Sequence, residues 1–233
     1  MRLLGAVLGA LCALPAGAQQ ITSAAFTDPT PRYAHGILGD AIEWGSLHMD
    51  VAGRGRVSLN LPQDHVFEDV APRLWDVTGD GQPEVVVIET DMAKGAALAV
   101  YGPQGKIAET PHIGRSNRWL APIGAADLDG DGKIEIAYID RPHLAKVLRV
   151  WRFDQGALTH VADVPGYTNH KIGESDIAGG IRHCNGAPEM IVATADWTRL
   201  AAVRFAAQGF RVRDIGPHRG RASFAAALTC DES

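Results

Sequence analysis

The sequence predicts an all-β fold, a small β-propeller of four, or at most five, four-stranded blades. An acidic loop recurs at an interval of about fifty residues, which is the size of one blade. A Gln-Gly pair recurs at nearly the same interval between two strand-like runs, where glycine supplies the positive φ of a hairpin turn. No window carries the apolar periodicity of a helix of roughly ten or more residues.

The repeat around Asp127 is the clearest and divides into four short strands. One strand precedes the aspartate, one follows Glu135, one precedes Gln-Gly and one follows it. The predicted strands span 123–127, 135–139, 147–153 and 158–164. Four strands in about fifty residues are typical of a propeller blade. A β-sandwich of about fourteen strands would also have short, evenly spaced strands, but a sandwich has no reason to repeat one loop motif at a fixed interval.

Weaker copies flank the repeats at Asp76 and Asp127. The N-terminal copy keeps Asp40 and Glu43 but lacks the leading aspartate. A later copy begins at Asp176 and carries an insertion through Cys184. The tail that starts with Phe224 is predicted to be the first strand of one more copy, and we expect it to complete the N-terminal blade, because such a strand closes a ring of blades.

The N-terminus has the pattern of a secretory signal peptide. Arg2 precedes an apolar stretch, 3–14, and Ala16-Gly17-Ala18 forms a small-residue cleavage site. A membrane-spanning helix needs about 20 apolar residues, and this stretch is shorter, so a membrane anchor is the weaker alternative. We expect cleavage after Ala18 and a mature protein that is periplasmic or secreted.

Length and composition indicate how the chain divides into domains and which classes of partner are expected. We divide the chain into the signal peptide (1–18), an N-terminal extension (19–32) and a single propeller domain (33–233). The net charge is −5 and the basic residues are scattered, so we expect no nucleic-acid partner. Later apolar runs are too short to span a membrane, and we expect a monomer.

The loop from Asp127 to Glu135 has alternating carboxylates and a glycine. Acidic side chains two residues apart at a tight turn repel one another unless a cation lies among them. Calcium takes about six to eight oxygen ligands, and acidic loops of this kind supply them. We therefore predict a calcium site here. Its predicted ligands are the side chains of Asp127, Asp129, Asp131 and Glu135 and the carbonyl group of Lys133.

The loop from Asp76 to Glu84 repeats this pattern with less charge, because a threonine replaces the second carboxylate. We predict that it binds calcium more weakly. The predicted ligands are Asp76, Thr78, Asp80, the carbonyl group of Gln82, and Glu84. For both loops the alternative is a solvated Asp-Gly turn with no ion. In the copy at Asp176, Ala178 and Gly180 occupy ligand positions, and Asp176 and Glu189 alone could not hold a cation, so we expect none there.

Two cysteines, Cys184 and Cys230, follow the signal peptide. Disulfides persist in the compartments that exported proteins reach, so we predict that these two are bonded. A free thiol pair, or a metal site with His183, is the competing interpretation. In the predicted propeller the bond would link neighbouring units at one end of the ring.

The stretch Ala121-Pro122-Ile-Gly-Ala-Ala-Asp127-Leu-Asp-Gly-Asp-Gly-Lys-Ile-Glu135-Ile resembles the FG-GAP/VCBS repeats of integrin α-chain propellers and of many bacterial secreted proteins. The resemblance implies calcium at matching ligand positions, which are Asp127, Asp129, Asp131 and Glu135 in one loop and Asp76, Asp80 and Glu84 in the other. The chain has fewer repeats than that family usually has and lacks its clear Phe-Gly and Gly-Ala-Pro signatures. The number of blades therefore stays open.

The first functional hypothesis is a non-enzymatic binding or scaffold module that recognises a protein or glycan through loops at one face. The alternative is a glycan hydrolase or lyase with its site in the central channel, although the common hydrolase and nucleotide-binding motifs are missing. An enzyme would gather two or more ionisable side chains in one funnel outside the calcium loops. Trp119 and Trp197 are candidates for ligand stacking, and His170 is interpreted as a hydrogen-bonded turn residue more readily than as a channel residue.

Overall fold

The computed structural model describes residues 19–230, which form seventeen strands and one helix. The strands are β1 (Ile21–Thr30), β2 (Glu43–Val51), β3 (Gly55–Asn60), β4 (His65–Phe67), β5 (Arg73–Trp75), β6 (Glu84–Asp91), β7 (Gly95–Gly102), β8 (Gly105–Glu109), β9 (Leu120–Ala126), β10 (Glu135–Asp140), β11 (Val147–Asp154), β12 (Ala157–Pro165), β13 (Tyr167–Thr168), β14 (Gly180–Asn185), β15 (Ala187–Thr194), β16 (Arg199–Ala206) and β17 (Gly209–Pro217), and the helix is α1 (Arg221–Leu228). The predicted all-β class is confirmed. The signal peptide lies outside the described residues.

All strand pairs are antiparallel, and they group into four successive units. The first unit is β1–β3, the second is β5–β8, the third is β9–β12 and the fourth is β13–β17. Short β4 joins the first two units into one eight-stranded sheet, because it pairs with both β2 and β6. The third unit has the four strands that its loop and its Gln-Gly turn predict.

The second strand of the middle units is buried on both faces, which explains its unbroken apolar run. In β6, Val85 and Val87 pack on the first unit, whereas Val86 and Ile88 pack on the third. In β10, alternate side chains face the second and the fourth units in the same way. Side chains alternate along a strand, so each such strand contributes to two cores. The four units therefore pack in series.

The C-terminal tail is a helix, and the prediction of a strand that closes the ring is wrong. Local preference explains the difference, because the segment RASFAAAL is rich in alanine, the best helix former. Phe224 and Ala227 lie on one helical face and pack against Ile191 and Ala193. The helix thus covers one face of the sheet of the fourth unit, which we call the fourth sheet; this face is turned away from the third unit. Among the described strands, none pairs the fourth sheet with the first unit.

The copy at Asp176 is also organised differently from its prediction. Its presumed insertion contains β14, which is the first strand of the unit, and Gly186 with φ of 90° makes a tight turn into β15. Asp176 therefore precedes the first strand instead of following it, and Glu189 lies within β15 opposite Arg182. A long acidic loop is replaced here by a short hairpin.

The segment 19–32, assigned to an N-terminal extension, contains β1, which pairs along its length with β2. This strand contributes Ile21 to the core between the first two units. The described part of the chain holds no helix with the length and apolar character needed to cross a lipid bilayer.

Candidate functional site

The Asp127 loop, residues 127–135, is held by its own carboxylates. The Asp127 carboxylate accepts hydrogen bonds from the backbone N–H groups of Gly130 (2.8 Å) and Gly132 (3.0 Å). Glu135, the first residue of β10, is fully buried and accepts from the N–H of Leu128 at 2.8 Å. Both glycines have positive φ, which the turn requires. The two acids at the ends of the loop therefore fix its backbone.

Three predicted ligands converge in this loop. One oxygen each from Asp127, Asp129 and Glu135 lie within 4.8 Å of one another. Such a set of hard oxygen donors fits a calcium ion. Asp131 is exposed and is not part of this group of three; its carboxylate instead contacts Arg152 at 3.0 Å. The Lys133 ammonium group contacts Asp154 at 2.6 Å.

Arg152 supplies positive charge to this cluster from the neighbouring strand. It lies directly opposite Glu135 in the β10–β11 pairing. Its guanidinium group is 2.6 Å from Glu135, 2.5 Å from Asp129 and 3.0 Å from Asp131. Burial raises the pKa of Glu135, and the hydrogen bond from Arg152 opposes that rise. The carboxylates of this loop repel one another, and the sequence pattern predicts that a cation relieves this repulsion. In the structure the guanidinium group of Arg152 does so.

No loop motif pointed to Arg152, although a signal was present. The predicted strands 135–139 and 147–153 form a hairpin, so their outer ends must be neighbours. Glu135 is the first residue of one and Arg152 lies at the end of the other. Opposite charges at facing positions of a predicted hairpin indicate an ion pair, so the pair of Glu135 and Arg152 could have been predicted from the sequence.

The Asp76 loop, residues 76–84, has the same backbone plan. The Asp76 carboxylate accepts from the N–H groups of Gly79 (2.8 Å) and Gly81 (2.9 Å), and Glu84 accepts from Val77 (2.8 Å). The Thr78 hydroxyl group donates to Glu84 at 3.3 Å. Burial raises the pKa of Glu84 above its usual value.

The cation chemistry of the two loops differs. Among the described residues, the carboxylate oxygens of Asp76, Asp80 and Glu84 do not converge closely enough to hold one metal ion, as those of Asp127, Asp129 and Glu135 do. The hydrogen bond from the N–H of Gln82 to Asp80 (2.8 Å) has a counterpart from Lys133 to Asp131 (2.9 Å), so it does not cause this difference. No arginine faces this loop from β7, because the pairing of Val85 with Tyr101 puts Gly102 next to Glu84.

A third glutamate occupies the corresponding place in the first unit. Glu43 begins β2 as Glu84 and Glu135 begin their strands, and it is also buried. Burial first, and then the negative charge of Glu68, raise the pKa of Glu43 to about 9. Glu43 is therefore protonated at neutral pH.

Segments from the first, third and fourth units, and the link from the second unit into the third, meet at one pocket of about 260 Å³, which we call the Trp119 pocket. The first unit supplies its loop between β1 and β2, and the third its loop between β10 and β11. The link into β9 and the loop before β14 complete the wall. The lining residues that matter here are His35, Arg118, Trp119, Arg141, Leu144 and Ile172. Leu144 and Ile172 are 63% and 68% exposed, so the rim is apolar and open.

A buried polar network supports this pocket. The Nδ1 atom of His35 contacts the Glu68 carboxylate, and the Thr90 hydroxyl group donates to the same residue at 2.7 Å. The indole N–H of Trp119 donates to the Glu68 carbonyl oxygen at 2.8 Å. These bonds satisfy Glu68, which has no exposed surface. They fix the positions of His35 and Trp119 at the pocket.

Two further histidines extend the network. His143 stacks on Trp119 with parallel rings, and its Nε2 atom is 3.0 Å from Nδ1 of His170. The Nε2 atom of His170 contacts the Glu174 carbonyl oxygen at 2.8 Å. Burial lowers the pKa of His143 to about 4 and also lowers that of His170. Both rings are therefore neutral at pH 7, and His170 is a buried, hydrogen-bonded residue.

The two tryptophans proposed for ligand stacking lie in different places, and only Trp119 lines the pocket. Trp119 lines the pocket but is only 2% exposed. Trp197 lies under the Lys171 ammonium group, 4.6 Å from the ring centre, and is not part of the pocket lining. A ligand at the Trp119 pocket would therefore contact the exposed rim residues Leu144 and Ile172 more than the buried ring of Trp119.

The predicted disulfide between Cys184 and Cys230 is confirmed, with a Cα–Cα distance of 5.6 Å. Its expected placement between neighbouring blades is wrong. Cys184 lies in β14 and Cys230 follows α1, so the bond holds the helix to the fourth sheet. The difference follows from the helical tail.

The comparisons with known proteins agree with the two acidic loops. The family model of the FG-GAP-like repeat matches residues 76–138, a segment that begins at Asp76 and includes the whole Asp127 loop. No curated protein matches the chain. Residues 76–138 therefore match an FG-GAP-like repeat.

Proposed function

We propose that this protein is an exported, calcium-binding module of the β-propeller type that binds another protein at the Trp119 pocket. The observation that carries the proposal is the convergence of segments from three units and the link into β9 on one pocket with an exposed apolar rim. Exposed apolar patches with a polar surround are typical of interaction sites. Arg118 adds positive charge to the lining, whereas Arg141 is already paired with Asp140 at 2.8 Å, so the pocket suits a partner segment with apolar side chains and an acidic residue near Arg118.

The propeller arrangement is supported by the series of four packed units. A contact between the first and last units also supports it, because the N–H of Gly173 donates to the carbonyl oxygen of Ile37 at 3.0 Å. We infer four blades, with α1 covering the face of the last sheet where a further blade would pack. The FG-GAP-like match to the middle of the chain favours the same arrangement.

Calcium is proposed at the two acidic loops. In the stronger site Asp127, Asp129, Asp131 and Glu135 would hold the ion, with the Lys133 carbonyl group. Arg152 would have to leave these oxygens, which lowers the apparent affinity. In the weaker site Asp76, Thr78, Asp80, the Gln82 carbonyl group and Glu84 would serve. The ion would stabilise the loops and takes no part in ligand chemistry.

Export is proposed from the signal-peptide pattern and is supported by the disulfide, since such bonds persist in oxidising compartments. Cell fractionation of the producing organism tests it. Recovery of the full-length precursor from the cytoplasm, with free thiols, would contradict export.

Site-specific crosslinking tests the binding function. A photoreactive amino acid at Leu144 should crosslink to one defined protein in an extract of the producing organism. The same group at Val212, which is 46% exposed and outside the pocket, serves as the control. Leu144→Ser with Ile172→Ser should abolish competition by the unlabelled protein. Equal crosslinking from both positions, or none from Leu144, would contradict the proposal.

A glycan hydrolase or lyase is the second candidate, favoured by the His35–Glu68 pair at the pocket. A histidine oriented by a buried carboxylate is suited to accept a proton. Release of products from a glycan panel by the wild-type protein, but not by His35→Gln, would establish this function. Crosslinking to a glycan-free protein without turnover would support binding alone.

A further inference from the structure

We propose that His65, Asp91 and His112 form a binding site for a zinc ion, separate from both acidic loops. The three side chains each offer one ligand atom, and these atoms lie within 4.8 Å of one another. Two imidazole nitrogens and one carboxylate oxygen are a donor set that suits zinc and other transition metals, whereas calcium prefers oxygen alone.

The sheet places these residues together. His65, the first residue of β4, pairs directly with Asp91, the last residue of β6. Asp91 in turn pairs with Gly95 at the start of β7. His112 lies in the segment after β8, which returns over this end of the sheet. Backbone hydrogen bonds from Gly114 to Lys94 (2.7 Å) and from Ile113 to Ala96 (3.0 Å) hold that segment in place.

Both histidines are oriented as metal-binding histidines usually are. The Nδ1 atom of His65 is 2.9 Å from the Asp64 carboxylate, and Nδ1 of His112 is 2.7 Å from the Gly95 carbonyl oxygen. Because each Nδ1 donates its proton to an acceptor, each Nε2 keeps a free lone pair. Such partners fix the tautomer and orient the ring of zinc ligands.

The ligand atoms, which lie within 4.8 Å of one another, would have to move closer together to hold zinc. The Nε2 atom of His65 is 4.0 Å from Oδ2 of Asp91. Tetrahedral zinc with bonds of about 2.0–2.1 Å separates its ligands by about 3.3–3.5 Å. The His65 side chain is 20% exposed, so the site is reached from solvent. A water molecule would take the fourth position.

Lys94 is the competitor for this site. Its ammonium group is 2.6 Å from Oδ2 of Asp91, but its side chain is 66% exposed and is free to turn outward. The other oxygen of Asp91 accepts from the N–H of Ala93 at 2.9 Å, which keeps the carboxylate in place. Zinc binding would therefore displace only the lysine.

Calorimetric titration of the mature protein with zinc chloride, in a calcium-containing buffer, tests the site. We expect about one bound zinc per molecule. His65→Gln and His112→Gln should each weaken binding at least about tenfold, and Asp64→Asn, which keeps all three ligands, should weaken it about tenfold or more. Lys94→Met should tighten binding. His160→Gln, an exposed histidine on β12, is the matched control and should have no effect.

A second measurement guards against variants that fail to fold. Cobalt added to the wild-type protein should give the visible absorption of a tetrahedral centre, and zinc should remove it. Circular dichroism checks the fold of each variant. Absence of zinc binding by the wild type, or equal affinity in the wild type and both folded histidine variants, would overturn the proposal.

Discussion

The Asp76 loop and the Asp127 loop share one backbone plan and differ in the source of positive charge. In both, an aspartate and a glutamate accept hydrogen bonds from loop N–H groups, and in both the glutamate begins a buried strand. The Asp127 loop adds the guanidinium group of Arg152, whereas glycine lies beside Glu84. In both loops the aspartate and the glutamate fix the backbone through hydrogen bonds that need no cation. In the Asp127 loop, Arg152 also forms ion pairs with the additional carboxylates.

Removal of the two glutamates should separate these roles. We expect Glu135→Ala to lower the free energy of unfolding by about 3–5 kcal/mol, because it breaks a buried ion pair. Glu84→Ala should cost about 1–3 kcal/mol, since it leaves loop N–H groups unsatisfied. Urea unfolding measures both, with Glu109→Ala, an exposed glutamate, as the control. Equal losses would mean that Arg152 adds nothing to the Asp127 loop.

The fourth unit has neither acidic loop, and the disulfide lies near the turn that replaces it. Replacing Cys184 and Cys230 together by serine should lower the free energy of unfolding by about 2–4 kcal/mol, because the closed loop spans 46 residues. Thermal melting with and without reductant measures this loss. The double variant itself should be insensitive to reductant. A wild-type midpoint that does not change on reduction would contradict the prediction.

The pH dependence of folding stability tests the buried glutamate of the first unit, Glu43. In the folded state the pKa of Glu43 is about 9, whereas the ordinary pKa of a glutamate in an unfolded chain is 4.5. Its contribution to stability is therefore full below pH 4.5 and declines toward pH 9, by at most about 1.4 kcal/mol per pH unit. Glu43→Gln should raise the melting midpoint at pH 8 relative to wild type, and much less at pH 4. An unchanged difference across this range would refute the assignment.

Arg152→Met tests the competition between arginine and calcium. Without the guanidinium group the carboxylates repel one another, so the variant should be less stable in chelator. Millimolar calcium should then restore on the order of 1 kcal/mol, more than it adds to wild type. Arg149→Met, on the same strand but paired with Asp140 and Asp163, is the control. A calcium shift no larger in Arg152→Met than in wild type would exclude the Asp127 loop as a calcium site.

Sequence patterns located the third unit because its signals are local. An acidic turn, a Gln-Gly turn and the apolar runs between them define four strands without knowledge of their neighbours. The acids of both loops were identified for the same reason, and so was the cysteine pair. The FG-GAP-like match covers the segment in which these signals are strongest.

The features that escaped prediction depend on partners distant in the chain. Arg152 matters only through its position opposite Glu135, which is set by strand register. The tail has apolar residues that suit either a strand or a helix, and the alanines together with the face of β15 and β16 decide for a helix. The Trp119 pocket and the His65 cluster each draw on separate segments, so neither forms a sequence motif.

Helix α1 has one more consequence, for the length of the stack. A sheet that ends a series of packed sheets presents an apolar face onto which another copy could add, as in the uncapped arrays of other repeat proteins. Here Phe224 and Ala227 fill that face, and a covalent bond holds the helix there. Addition of another sheet, from this chain or from a second molecule, would require both the helix and the bond to be displaced. The helix thus acts as a terminator that blocks growth of the stack beyond the fourth sheet.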